Sequence, residues 1–232
     1  MNKSTLVASI FVTASLLSSV TFAAPAPFNW TGFYAGVNVG AVKHTMNITD
    51  NEATAFLGTI QEASNPDISG GFQLGYRRQL DLARVSNVYG LEFSTNFSDN
   101  GFNQVYGSPF ALYQLNSENK LKNVSLLQVT GGIAADRTLL FLAAGMSWST
   151  ISGSVTSVDG APFFNSFNLN KTAFGTALGA GLEFAFTNAI SARVKVDVIS
   201  PDVYSTSNNV GNSYQISNNI VQGTFAMNYK FA

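Results

Sequence analysis

The chain has 232 residues, a formal net charge of −1 and no cysteine. The absent thiols exclude a disulfide framework, a zinc knuckle and thiol catalysis, and the near-zero charge gives no electrostatic case for nucleic acid or an acidic partner. Charged residues make up only 11%, well below the quarter usual in soluble domains, and beyond the N-terminus no apolar run is long enough for a helix to span a bilayer. Twenty glycines and 12% aromatic residues in such a chain suit a membrane protein that crosses with strands.

Residues 1–23 read as a secretory signal peptide. Lys3 supplies a basic start, an apolar stretch runs from Leu6 to Leu17, and a small-residue stretch ends at Ala23. The apolar part is about a dozen residues, too short for an anchoring helix, which needs about 20. Cleavage is expected after Ala23, leaving a single domain over residues 24–232.

From there the chain alternates apolar and polar residues with a period of two, the mark of strands with one apolar face. The first strand, expected over Gly32–His44, sends Phe33, Ala35, Val37 and Val39 to one side. Asp67–Arg78 sends Ile68, Phe72, Leu74 and Tyr76 outward and Gln73, Gly75 and Arg77 inward. Asn87–Ser98 sets Tyr89, Leu91, Phe93 and Phe97 against Gly90, Glu92, Ser94 and Asn96. Asn123–Ala135 follows with less contrast, and Leu139–Thr150 shows Leu140, Leu142, Met146 and Trp148. Lys171–Phe186 is the clearest case, with Phe174, Leu178, Leu182, Phe184 and Phe186 facing small residues and Glu183. Asn188–Ser200 sets Val194, Val196 and Val198 against Arg193, Lys195 and Asp197. Ile220–Phe231 closes the set with Val221, Phe225, Met227, Tyr229 and Phe231.

Eight strands of this kind predict an all-β fold, an antiparallel up-and-down transmembrane β-barrel. The connections support it. Thr45–Pro66, Asp99–Lys122, Ile151–Asn170 and Pro201–Asn219 are long and rich in Asn, Ser and Gly, whereas the links between them shrink to Ala135–Thr138 and Thr187–Ala189. Long loops at one end and short turns at the other is the arrangement of outer-membrane barrels.

The charges keep one phase. Arg77, Glu92, Glu183, Arg193, Lys195 and Asp197 all fall opposite the long apolar side chains, because a cation facing lipid at mid-depth costs about 2–4 kcal/mol. The lumen of eight strands is narrow and filled by side chains. Glu92 and Glu183 are therefore expected to pair with Arg77, Arg193 or Lys195 in a luminal charge network that either plugs the bore or marks an ion path. Trp30, Tyr76, Tyr89, Trp148 and Tyr229 lie near strand ends and are expected to form an interfacial aromatic girdle. His44 is the one histidine. A lipid-editing hydrolase would need a base or nucleophile cluster at the outer lip, and His44 has no such partner motif. No catalytic, cofactor-binding or metal-ligating residue is assigned.

Several short motifs resemble a known family. Trp30-Thr31-Gly32-Phe33-Tyr34-Ala35-Gly36 is similar to the W-x-G-F-Y-x-G first strand of the opacity-type, Omp25/Omp31-like outer-membrane β-barrel (porin-like) family. Gly71-Phe72-Gln73-Leu74-Gly75-Tyr76, Tyr89-Gly90-Leu91-Glu92, Gly179-Ala180-Gly181-Leu182-Glu183-Phe184 and the ending Asn228-Tyr229-Lys230-Phe231 are similar in turn. The resemblance covers nearly the whole chain after residue 23, apart from the loops. It implies an eight-stranded barrel in the outer membrane of a Gram-negative bacterium, porin-like or engaged in surface contact with hosts, and a terminal aromatic signal (Tyr229, Phe231) read by the barrel-assembly machinery. Two departures stand out: Ala232 follows Phe231, and Lys195-Val196-Asp197 occupies a place where the family tends to carry a Glu-Tyr pair.

Together these readings predict a non-enzymatic barrel with a plugged lumen and long, adhesin-like surface loops, set in outer-membrane lipid, with no cofactor and no nucleic-acid partner. A narrow diffusion channel is the alternative, and a lipid A-editing hydrolase a more remote one.

Overall fold

The computed structural model describes residues 28–50, 59–63, 65–82, 85–107, 114–157, 167–202, 204–207 and 213–231. The expected signal peptide lies outside them, as do Ala232 and the tips of the long connections.

Ten strands follow one another: β1 (Gly32–Asp50), β2 (Thr59–Ala63), β3 (Asp67–Leu82), β4 (Val85–Gly107), β5 (Gln114–Ala135), β6 (Thr138–Ser157), β7 (Phe167–Ala185), β8 (Ile190–Pro201), β9 (Tyr204–Ser207) and β10 (Ser213–Lys230). Each pairs antiparallel with its neighbours, and β1 pairs with β10, so the sheet closes on itself. Strands β2 and β9 are upper continuations of β3 and β8. They pair with β1 and β10 above breaks beside Pro66 and Pro201, where proline removes a ladder donor. The ring is therefore eight strands: β1, β3, β4, β5, β6, β7, β8 and β10.

Its stagger can be read from the register. A row of paired residues runs Gly32, Arg77, Gly90, Thr130, Ala143, Gly179, Asp197 and Gln222, then meets β1 again at Val42. One circuit thus climbs from Gly32 to Val42 along β1. With eight strands this shear corresponds to a tilt of about 40° and a Cα radius of about 8 Å, a bore that side chains can fill. Every residue in that row points inward.

The outer face is apolar over the membrane-height stretch. Leu142 is 68% exposed, Val37 67% and Leu178 66%, the values of a protein whose solvent on this side is hydrocarbon. The inner face carries small residues wherever a neighbour needs room. A Cβ on Gly75 would sit 2.6 Å from the Tyr34 ring, and one on Gly181 2.5 Å from that of Phe141. At the β5–β6 hairpin Asp136 takes φ 50°, a left-handed turn position that Asp tolerates.

The strands are longer than the alternation predicts. Much of the sequence expected as loop continues the ladder: β1 runs to Asp50, β4 to Gly107, β5 starts at Gln114, β6 ends at Ser157, β7 starts at Phe167 and β10 at Ser213. The cause is physical. Beyond the lipid no apolar face is imposed, so the Asn- and Ser-rich sequence loses its apolar phase while the backbone still pairs. Bulges at Phe97/Asn100 and Leu121/Asn123 mark where β4 and β5 enter this region.

Candidate functional site: the layered lumen

Three layers fill the bore. Nearest the short turns, Phe28, Trp30, Val88, Ala134, Leu139, Phe141 and Ala185 form an apolar cluster. Toward the long loops lies a second, made of Val42, Leu121, Val124, Leu126, Ile151, Ala173, Ala177, Ile199 and Ile220. Between them sit Arg77, Glu92, Glu183, Arg193, Lys195 and Asp197, all buried. The lumen is thus layered: among the described residues buried formal charge is confined to the middle, the short-turn end is apolar, and the long-loop end mixes apolar side chains with buried Asn96, Ser147, Ser149, His44 and Asn218.

The middle layer is densely connected. Glu183 Oε2 accepts from Arg77 Nη2 at 2.8 Å and from Arg193 Nε at 2.7 Å. Its other oxygen accepts from Ser191 Oγ at 2.5 Å and Asn228 Nδ2 at 3.1 Å. Glu92 accepts from Arg193 Nη1 and from the Tyr34 hydroxyl, and from Lys195 Nζ at 3.1 Å. Lys195 also donates to Gln128 Oε1 at 2.5 Å and lies 3.4 Å from Asp197 Oδ2. Gln128 Nε2 in turn donates to Asp197 Oδ1 at 3.0 Å. Among the described residues the buried formal charges are three cations and three carboxylates, which cancel. Strands β3, β4, β7 and β8 each contribute, so the pairs tie opposite walls of the ring together. A buried charge is tolerable only when paired and hydrogen-bonded like this.

Aromatic rings complete the layer. The Arg77 guanidinium sits 4.2 Å from the Tyr34 ring centroid and 5.6 Å from that of Trp30, and Arg193 lies 5.2 Å from Tyr34 and 5.1 Å from Phe141, within cation–π range. Gln73 was placed inward by the alternation without a role, and Tyr34, Gln128, Ser191 and Asn228 were not assigned to the network. The signal was present in Tyr34, which shares the inward phase of Gly36 and Asn38.

Trp30 requires a correction. It does not join a lipid-facing girdle: it is 2% exposed and packs edge-on against Phe28, centroids 4.6 Å apart, inside the mouth. It precedes β1, so the chain there is free to fold under the barrel. Tyr76, Tyr89 and Tyr229 do face outward near the short-turn end, with Phe33 beside Tyr76 and Phe231 beside Tyr229. Trp148 is half-buried on the outer face nearer the long loops, stacked on Phe93 at 5.9 Å.

His44 points into the lumen. It is buried, and its Nε2 lies 3.0 Å from Asn218 Oδ1, away from any lipid-exposed lip. Among the described residues no group of three or more His, Asp or Glu side chains gathers to hold a metal ion.

A closed antiparallel ring of eight tilted strands, apolar outside and charge-paired within, defines a transmembrane β-barrel of the bacterial outer membrane. The chain belongs to the family of outer membrane protein beta-barrel domains, whose pattern it matches over residues 12–231. It is 26% identical, over 195 residues, to the 31 kDa outer-membrane immunogenic protein of Brucella melitensis, spanning 78% of this chain and 79% of that one. The protein of the same name from Brucella suis matches equally. Among solved structures, the outer membrane protein OprG from Pseudomonas aeruginosa superposes with a TM-score of 0.53 at 11% identity, covering 88% of this chain and 98% of that one. The outer membrane protease OmpT from Escherichia coli does so with a TM-score of 0.50 at 9% identity, covering 92% and 99%. These two share the fold alone, and as one of them is a protease, the fold does not dictate the chemistry.

Proposed function

We propose that this protein is a non-enzymatic outer-membrane barrel whose lumen is closed and whose long-loop end is its working surface. The observation that carries the reading is the charge layer: three cations and three carboxylates neutralise one another across a bore of about 8 Å Cα radius. In this reading the apolar clusters above and below limit the access of water to that network. The short turns face the periplasm and the extended Asn- and Ser-rich hairpins face outward, as in other outer-membrane barrels. Function then sits on the segments that a rigid ring presents, which suits an adhesin-like contact with a host or neighbouring molecule. Tyr76, Tyr89 and Tyr229 serve as the periplasmic-side interfacial ring in lipid, and Tyr229 with Phe231 as the terminal signal for barrel assembly. The N-terminal 23 residues act as the export signal.

A hydrolase centred on His44 is disfavoured by that residue's burial against Asn218. The alternative of a narrow channel is separated by single-channel conductance of the refolded chain in a planar bilayer. A silent bilayer is expected, with folding verified by the heat-dependent gel shift of an intact barrel. Steady openings that change when Arg77 or Glu183 is neutralised would overturn the closed-lumen reading. The surface reading fails if shortening the four long hairpins together leaves every surface interaction of the cell unchanged.

A further inference from the structure

The segment before β1 does something the ring does not require. Phe28 N donates to the Asp136 carbonyl at 3.2 Å. Asp136 belongs to the β5–β6 turn, which lies three strands from β1 one way round the ring and four the other. Phe28–Thr31 therefore crosses the mouth from one rim to the opposite one. Along the way Trp30 N donates to Gln79 Oε1 at 2.8 Å, and Gln79 N donates to Thr31 Oγ1 at 3.0 Å. Lys230 Nζ reaches the Asn29 carbonyl at 2.6 Å and stands 4.8 Å from the Phe28 ring centroid. Side chains alternate about this chord: Phe28 and Trp30 are buried upward in the bore while Asn29 is exposed below. The Trp30 ring ends directly under Arg77, the lowest cation of the charge layer.

We propose that Phe28–Trp30 is a detachable stopper that closes the periplasmic mouth beneath the charge layer. The ring's own strands are fixed by continuous ladders on both sides, whereas this strap is held by a few bonds and two side chains. Segments of that kind open locally at a fraction of the global stability. Lifting it breaks no strand pairing, uncovers Val88 and Leu139, and brings Arg77 and Glu183 within reach of periplasmic solutes. The inference stands whether the layer above is a closed plug or a channel, because it concerns only access from below.

The absence of native cysteine allows a direct test. Val88→Cys places one thiol in the apolar cluster that the stopper covers. Its reaction with a small, charged methanethiosulfonate reagent is compared in the refolded barrel with and without Phe28→Ala and Trp30→Ala, using Asn188→Cys on an exposed turn as the reference. With the stopper intact, Val88→Cys is expected to react at least tenfold more slowly than Asn188→Cys, and removing both rings should raise its rate at least tenfold while the reference stays constant. Equal rates in the intact protein, or no change on removal, would overturn the proposal. Should the double variant fail to show the barrel's gel shift, Lys230→Met, which loosens the strap alone, is expected to speed Val88→Cys labelling several-fold, and an unchanged rate would overturn it. In a Trp148→Phe background, Trp30 is the remaining tryptophan. Its fluorescence should resist quenching by aqueous iodide at least fivefold more than a free tryptophan amide; quenching equal to the free amide would also sink the idea.

Discussion

The middle of the lumen and its two ends are built on the same eight strands, yet they solve different problems. In the apolar clusters toward the two ends, aliphatic and aromatic side chains meet one another, as in any core, and a loss there removes buried area. In the middle, six formal charges are held together, each with an opposite charge in reach. The difference shows that an interior can hold charge where the signs balance and each group is hydrogen-bonded. Removing a greasy residue weakens one end, while removing one charge strands its partners.

The largest expected effect follows from that asymmetry. Glu183→Ala leaves Arg77 and Arg193 short of their shared carboxylate, and should destabilise the barrel by about 3–5 kcal/mol in urea unfolding from lipid vesicles. The comparison sharpens with Glu92→Gln and Lys195→Met. Together they delete one charge of each sign, and the double variant should lose less stability than the sum of the two singles. Additive losses would mean that the layer is not a coupled unit. Next in size is a charge moved to the other wall. Leu142→Arg on the lipid face is expected to cost about 2–4 kcal/mol in the same assay, and a neutral result would place Leu142 away from hydrocarbon.

Smaller again is Gly75→Ala, whose new Cβ would meet the Tyr34 ring at 2.6 Å. Overpacking of this kind costs about 1–3 kcal/mol, and Tyr34→Ala in the same chain should recover part of it in a double-mutant cycle. The smallest effect lies outside the bore altogether. Asp81, exposed at the short-turn end, accepts from Gln79 Nε2 at 2.5 Å and Ser86 Oγ at 2.7 Å, and these bonds hold its carboxyl below the usual aspartate range. A depressed carboxylate adds stability that is present above its unfolded pKa and is lost as pH falls through the folded one. The turn should therefore weaken only below about pH 4. Ser86→Ala should move the Asp81 titration upward in a carboxyl-carbon NMR experiment, and an unmoved titration would remove the hydrogen bond as its cause.

The ring itself was legible because lipid imposes a phase that hides nothing: Phe72, Leu74 and Tyr76 must face out, so Gln73, Gly75 and Arg77 must face in. The same rule placed all six charges on one face. It could not place Trp30, which precedes the first paired residue and obeys no strand phase. Nor did it give Tyr34 or Asn228 a part in the charge layer, since a phenol or an amide facing inward carries no penalty that distinguishes it from filler. The upper hairpins were invisible for the opposite reason: with no lipid to impose a phase, β4 beyond Ser98 has no alternation to detect.

Those upper hairpins divide where the ring does not. Among the described residues above Pro66 and Pro201, β2 pairs only with β1 and β9 only with β10, while the upper parts of β4, β5, β6 and β7 stay paired with one another. Over the described residues the barrel therefore ends in two half-crowns of four strands each, whose ladders share hydrogen bonds only through the membrane-level ring. Mechanically they are separate jaws on a common base. A load carried along the described ladders of one reaches those of the other by passing down through the ring and up again, and each of these ladders can change its sequence without altering the hydrogen bonds of its counterpart.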